Sequence, residues 1–446
     1  MTNQLTDAKG WYAAKFDEFE RTLNGESHSP VHALRRDALA RFAAVGFPTT
    51  ADEEWRFTNV SPIARVQFTP GVAVDPATIA PGVVERLAIA GAARLVFING
   101  LYAPALSSLP ALPRGVRAGS LAQALREDPD LVGRYLARQV RAEENAFTAL
   151  GTAFLRDGAF VYMEKNALLE FPVQCIFLGT GSGGPVVCSV RNLFVIGEGA
   201  RASIVETYAG TGPGVYWTNS VTEISLGRSA VAEHDKVQTE SAGAFHTGTT
   251  HVRLDGQSVF TSNCVSMGGS LVRNNVTAVF GGENAECTLN GLSLATGTQL
   301  VDNHTVIDHA VPHCASHELY KSILDGSSRG VFNGKIFVRE DAQKTDAKQT
   351  NKTLLLSDDA TIDTKPQLEI FADDVKCTHG ATVGQLDEDQ VFYLRARGIG
   401  EADARDLLTF AFASDVINRL HVEPLRARLD AMLRTRLQQG RVARED

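Results

Sequence analysis

Between residues 158 and 375 the turn-forming residues recur at a nearly fixed interval, and that interval limits what the chain can fold into. The pairs Glu198-Gly199, Gly227-Arg228, Asp255-Gly256 and Gly282-Glu283 begin 29, 28 and 27 residues apart. A second set, Gly212, Gly243, Gly268 and Gly297, falls roughly midway between them. Between the turns, apolar residues come in short groups with a period near two, the pattern of buried strands. Regular turns in a strand-rich chain are what a β-solenoid produces, because each coil buries a face against its neighbours and cannot stand alone. A β-sandwich would instead require hairpin signals of the Asn-Gly type, and the one convincing candidate is Asn333-Gly334. We therefore expect a mainly β protein with a parallel β-helix core.

Helical patterns flank that core. Residues 7–45 place Trp11, Phe16, Phe19 and Leu23, then after His28-Ser29-Pro30 Leu34, Leu39, Phe42 and Phe47, at the spacing of two amphipathic helices. Pro48-Thr49 is expected to end the second. In the stretch EEWRFTNVSPI (Glu53 to Ile63), Trp55 and Phe57 are expected to pin the helices to the next layer. Arg94 to Gly100 reads as a buried strand ending in a turn, and Ser120 caps helical spacing that runs to Arg138. The stretch from Val331 to Arg397 has no helical period and reads as β throughout. After Ile399 come a helix over Glu401 to Leu420 and a second one opened by Pro424, with Leu425, Leu429, Leu433 and Leu437 on one side. One face of this pair should dock on the end of the β-helix. The expected division is a mostly helical unit at 1–157, the β-helix core at 158–398 and a helical region at 399–446.

Composition removes several classes of function. Hydrophobic content of 44% with 21% charged residues is that of an ordinary globular protein. The net charge is −9 and no dense Lys/Arg block occurs, which argues against nucleic acid as a partner. No apolar run has signal-peptide or membrane-spanning length, so a cytoplasmic protein without a membrane partner is expected. The six cysteines (175, 188, 264, 287, 314 and 377) lack C-x-x-C spacing, and most should be reduced thiols on or between strands. There is no G-x-x-x-x-G-K-[ST] loop for ATP and no G-x-S-x-G elbow, and Gly181 to Gly184 read as a turn. A β-helix polysaccharide-active enzyme would need converging carboxylates. Asp358-Asp359 and Asp373-Asp374 are adjacent pairs whose side chains diverge on a strand. We expect no enzyme activity in the chain itself.

Two groups of residues could carry chemistry. Cys377 and His379 lie in ADDVKCTHG, where an extended backbone puts the thiol and imidazole on one face and Lys376 and Thr378 on the other. A soft thiolate beside an imidazole suits iron, zinc or copper, whereas the plainer alternative is a buried Cys next to a half-exposed His. His309, His313 and His317 are four apart, but Pro312 would break any helix that brought them together, so they read as satisfied or exposed side chains.

FNGKIFV (Phe332 to Val338), KTDAKQTNKTLLL (Lys344 to Leu356), DTKPQLEIFADDVKCTHGATVG (Asp363 to Gly384) and FYLRARGI (Phe392 to Ile399) together resemble the SufB/SufD family, the scaffold proteins of SUF iron–sulfur cluster assembly. The stretch EEWRFTNVSPI and the absence of an N-terminal C-x-x-C group make the chain more similar to the SufD side. The resemblance implies a right-handed parallel β-helix and pairing with SufB through the two β-helices. It further implies docking of the ATPase SufC on the C-terminal helices and a transient iron–sulfur cluster shared with SufB. Reduced flavin would belong to the assembled complex alone, and a homodimer is plausible for the isolated chain. By the same resemblance, Cys377 and His379 fall in the family's C-x-H motif near the SufB contact, as candidate iron ligands. The alternative within this reading is a ligand-free structural scaffold for SufB and SufC.

Overall fold

The computed structural model describes residues 2–23, 29–140, 142, 145–181 and 183–445; His28 and Ser182, used above, lie outside them. A two-sheet β-solenoid of about seven turns forms the centre. Consecutive strands alternate between the sheets, and each pairs in parallel with the strand two further along. In the first sheet Trp217, Phe245, Leu271, Leu300, Arg329 and Thr361 are successive register partners. In the second the series is Arg201, Val231, Val259, Glu286, Ala315, Asp346 and Lys376. Both sets of expected turns are the solenoid's corners: Gly227-Arg228 joins Tyr216–Leu226 to Val231–Thr239, and Gly243 joins Val231–Thr239 to Phe245–Leu254.

The corners stack as closely as the strands do. At one of them Ser229, Gln257 and His313 hold φ of 57°, 61° and 61°. Their N–H groups donate to Gly256, Glu283 and Gln343 of the next coil, each at 2.9 Å. That ladder keeps non-glycine residues in the left-handed region. Glycine is required where the backbones meet, since a Cβ on Gly282 would lie 2.2 Å from the Gly256 nitrogen. Asn333-Gly334 is no hairpin: it lies inside the strand Arg329–Val338, where a Cβ on Gly334 would come within 2.3 Å of Gln349 Nε2 across the bore. Local turn propensity yields there to the need for space.

The helices cover the flanks. Thr2–Glu20 and Pro30–Val45 pack Phe16, Phe19 and Phe42, with Phe47 just past the second helix, against Val187, Trp217, Phe245 and Leu271 on the outer face of the first sheet. The second helix stops at Gly46, whose φ is 70° and whose N–H donates to Phe42 O, two residues before the expected Pro48. Asp128-Pro129 splits the helix expected from Ser120 to Arg138 into Leu121–Glu127 and Pro129–Tyr135. The expected boundary at 158 precedes the strand Ala159–Met163, and two upstream strands, Ala93–Ile98 and Val116–Ser120, already pair into the sheets.

Of the two aromatics expected to pin this layer, Trp55 does so. Its ring lies 4.9 Å from Phe147, with the buried Arg273 guanidinium 4.1 Å above it. Phe57 is only half-buried. Arg273 also donates to Glu54 O at 2.8 Å and to Asp302 at 2.6 Å, and His304 bridges Asp302 (3.1 Å) and Glu54 (3.3 Å). Burial opposes charge on Asp302, but Arg273 and His304 outweigh it and bring the carboxyl to about 2. Burial likewise opposes charge on His304, and Asp302 and Glu54 reverse this, raising its pKa.

The C-terminal helices Glu401–Ile417 and Glu423–Glu445 bury Val416, Ile417, Leu420, Leu425, Leu429 and Leu433 on Val205, Val237, Leu292 and Ile323 of the second sheet. They dock on the solenoid's flank, against outward-facing apolar residues of successive coils, and not on its end. Residues Glu388–Arg395 are also helical, which corrects the reading of Val331 to Arg397 as β throughout. Val391-Phe392-Tyr393 mimics a strand locally, yet Asp387 caps a helix there, accepting from the Asp389 N–H at 2.9 Å, with Glu388 and Asp389 in the first turn.

Three outcomes follow. Gly282→Ala should cost about 1–3 kcal/mol in urea denaturation, since neither stacked corner can give way. Arg273→Ala should cost about 3–5 kcal/mol by taking the guanidinium away from the buried Asp302. The contribution of His304 is complete below the ordinary pKa of about 6.5 and is lost as pH rises through its raised folded value. His304→Gln should therefore destabilise more at about pH 5.5 than at about pH 9.

Candidate functional site

The solenoid is closed at one end and open at the other. At the N-terminal end each sheet finishes in a short antiparallel strand, Leu101–Tyr102 or Val116–Ser120. At the C-terminal end the last strands, Thr361–Ile370 and Lys376–Gly384, leave Ile370, Phe371 (60% exposed) and Val383 (48%) at the surface.

Cys377 and His379 lie on this final coil. Cys377 is the register partner of Ala347, and His379 that of Gln349. Ala347 and Gln349 are buried, so strand alternation turns both site residues toward the bore and Lys376 and Thr378 away from it. Their surroundings differ. Cys377 is half-buried against the cluster of Ile336, Val338, Ala347 and Leu368, and burial raises its thiol pKa. A raised thiol stays protonated near neutral pH and must lose that proton before it can bind a metal. His379 is exposed at the rim. Among the described residues, no three His, Cys, Asp or Glu side chains gather as a metal-binding group.

Below this pair are two residues that sequence spacing did not single out. Glu318 and Gln349 occupy the same register column as His379 on the two preceding coils, and both are buried. Burial lifts the Glu318 carboxyl to about 7, against hydrogen bonds from Thr305 and Gln349. They are about thirty residues apart in sequence, so only the coil period could have paired them.

His309, His313 and His317 are dispersed. His309 is buried at the end of Leu300–His309, its ring 4.5 Å from Phe280 and its Nε2 2.9 Å from Ser316 Oγ, and burial depresses its pKa to about 4. His313 sits on a corner, and His317 is exposed on Ala315–Leu324. Asp358-Asp359 and Asp373-Asp374 lie in turns and not on strands, with Asp374 paired to Lys344. All six cysteines are free thiols. A cleft of about 530 Å³ is lined by Trp55, Arg273 and His304, and the ion pairs described above engage Glu54, Arg273 and His304 within it.

Comparison with known proteins accounts for nearly the whole chain. Residues 6–175 match the family model described as SufBD protein N-terminal region, and residues 177–412 match SUF system FeS cluster assembly, SufBD core domain. An iron-sulfur cluster assembly SufBD family protein of Synechocystis is 34% identical over 91% of this chain and 91% of its own length. The iron-sulfur cluster assembly protein SufD of Escherichia coli is 30% identical over 90% of this chain and 92% of its own length. The chloroplastic protein ABCI7 of Arabidopsis thaliana is 30% identical over 90% and 86%. A two-sheet solenoid, an open end carrying the C-x-H pair and these matches lead to one conclusion: the chain belongs to the SufB/SufD family of SUF-system iron–sulfur cluster assembly proteins and is SufD-like within it.

Proposed function

We propose that this chain is the SufD-like subunit of a SufBCD-type complex, which assembles iron–sulfur clusters on a scaffold and passes them to apo-proteins using a partner ATPase. The observation that supports this is the open solenoid end, where the last strand of each sheet presents a free edge and exposed apolar side chains, and one of the two strands carries Cys377 and His379. An unpaired sheet edge is a template for another chain's strands, and exposed apolar surface marks a contact. The SufB β-helix would continue both sheets there. The nascent cluster is the cargo: His379 serves as an iron ligand or proton acceptor, Cys377 as a secondary thiol, and SufB supplies the remaining ligands. A neutral imidazole suits borderline metals and changes charge near neutral pH.

SufC would bind the terminal helices, where Phe392 (70% exposed), Tyr393 and Leu407 remain uncovered. Nucleotide-dependent pairing of two SufC subunits would strain the SufB junction and open the site, which requires different contacts in the two nucleotide states. The chain itself would catalyse no covalent step, and its place would be the cytoplasm; no described helix is long and apolar enough to cross a membrane. A second reading, a ligand-free scaffold, is favoured by the packing of the Cys377 thiol into an apolar cluster.

Anaerobic reconstitution of the chain co-purified with SufB and SufC separates the two. Loss of iron, sulfide and visible absorption in His379→Ala, with the complex still assembled, is the expected outcome; unchanged cluster content would leave the scaffold reading. Phe371→Glu should weaken SufB binding about tenfold or more, or about 1.4 kcal/mol, with unchanged circular dichroism. Unaltered affinity would move the interface away from the open end.

A further inference from the structure

Three bore-facing residues line up beneath the open end, one on each of three neighbouring coils. Glu318, Gln349 and His379 are successive register partners on Ala315–Leu324, Asp346–Leu355 and Lys376–Gly384. The next position inward is Leu289, so this polar column is three residues deep and ends at the rim. Gln349 Nε2 donates to Glu318 Oε2 at 2.6 Å, whereas the buried Gln349 Oε1 has no hydrogen-bond partner among the described residues. The inner neighbour therefore takes the donor end of the carboxamide, and the acceptor end is left for the outer neighbour, His379.

Other features make room for this side chain. Gly334 faces Gln349 across the bore, and a Cβ there would sit 2.3 Å from Gln349 Nε2. With its carboxyl near 7, Glu318 presents an oxygen to Gln349 whether or not it carries the proton. A buried acceptor left without a partner costs roughly 1–3 kcal/mol, so an arrangement that keeps one calls for a reason.

We infer that Gln349 is a positioning residue for His379: its carboxamide oxygen accepts one ring N–H, the other ring nitrogen faces outward, and Glu318 holds Gln349 in that orientation. The inference rests on the reading of His379 as the group that meets the cargo cluster. Metal-binding imidazoles commonly donate their second N–H to a carbonyl or carboxylate, which fixes tautomer and ring direction.

The test reads the tautomer directly in the full chain, without a cluster. Nitrogen-15 histidine labelling, at about pH 8.5 where an ordinary imidazole is neutral, gives ring signals that His379→Ala assigns among the eleven histidines. A single His379 tautomer in the wild type, lost to a mixture in Gln349→Met and retained in Gln349→Glu, is the expected result. A mixture in the wild type, or an unchanged pattern in folded Gln349→Met, would overturn the inference. Gln349→Leu replaces the Met variant if that one loses its folded circular dichroism, and the wild-type pattern remains decisive in any case. Reconstitution with His379→Ala tests the functional reading separately, so failure of either can be recognised alone.

Discussion

In-register parallel stacking of coils is the constraint on which the rest of this structure depends. Each coil satisfies its backbone groups only through its neighbours, and each inward side chain packs on the residue at the same place one coil away. Phe97, Phe177 and Tyr208 show the consequence: they are register partners, and their rings stack with centroids 5.0 and 4.8 Å apart. Polar residues inside the bore find partners both between coils and within one. Glu206 and His234 pair at 3.0 Å across one strand interval, and Glu240 meets His246 at 2.8 Å. A buried charge is tolerable only with such a partner.

The same stacking makes the two ends of the solenoid unequal. A coil in the middle has neighbours on both sides, whereas a terminal coil must be covered or left with free edges. Short antiparallel strands finish the N-terminal end. The C-terminal helices could have covered the other, yet they lie along the second sheet, where Val205, Val237, Leu292 and Ile323 supply a continuous apolar stripe. Lys321 secures them there, its ammonium 2.8 Å from Asp415 and 3.0 Å from the Phe412 carbonyl. The last coil, with Cys377 and His379, is thereby left uncovered.

Stability and the candidate site are therefore separated along one axis. The middle coils hold the large aromatic side chains and the paired charges, and the N-terminal layer is locked on by Trp55, Arg273, Asp302 and His304. The final coils trade packing for access. The Cys377 thiol is half-withdrawn into an apolar cluster, the His379 imidazole is presented, and a buried carboxyl and carboxamide stand behind it.

Much of this was legible in the sequence because it follows from local periods. The turn interval is the coil length, so the solenoid could be read from Gly227, Gly256 and Gly282 and their counterparts midway. The alternation of a strand put Cys377 and His379 on one face, and Pro312 ruled out a shared helical face for His309, His313 and His317. The motifs from Phe332 to Ile399 carried the family. Other features depended on contacts between residues far apart in sequence. Asn333-Gly334 looks like a hairpin until Gln349 is seen to need the space. That the terminal helices cover the solenoid's flank depended on outward apolar residues of successive coils lining up, and that is a property of stacked coils. The column of Glu318, Gln349 and His379 exists only once the register is known. The sequence determined the repeating unit, since that is a matter of local pattern and backbone sterics; only the tertiary structure decided which residues of different coils meet, because register is set by the packing of the whole stack.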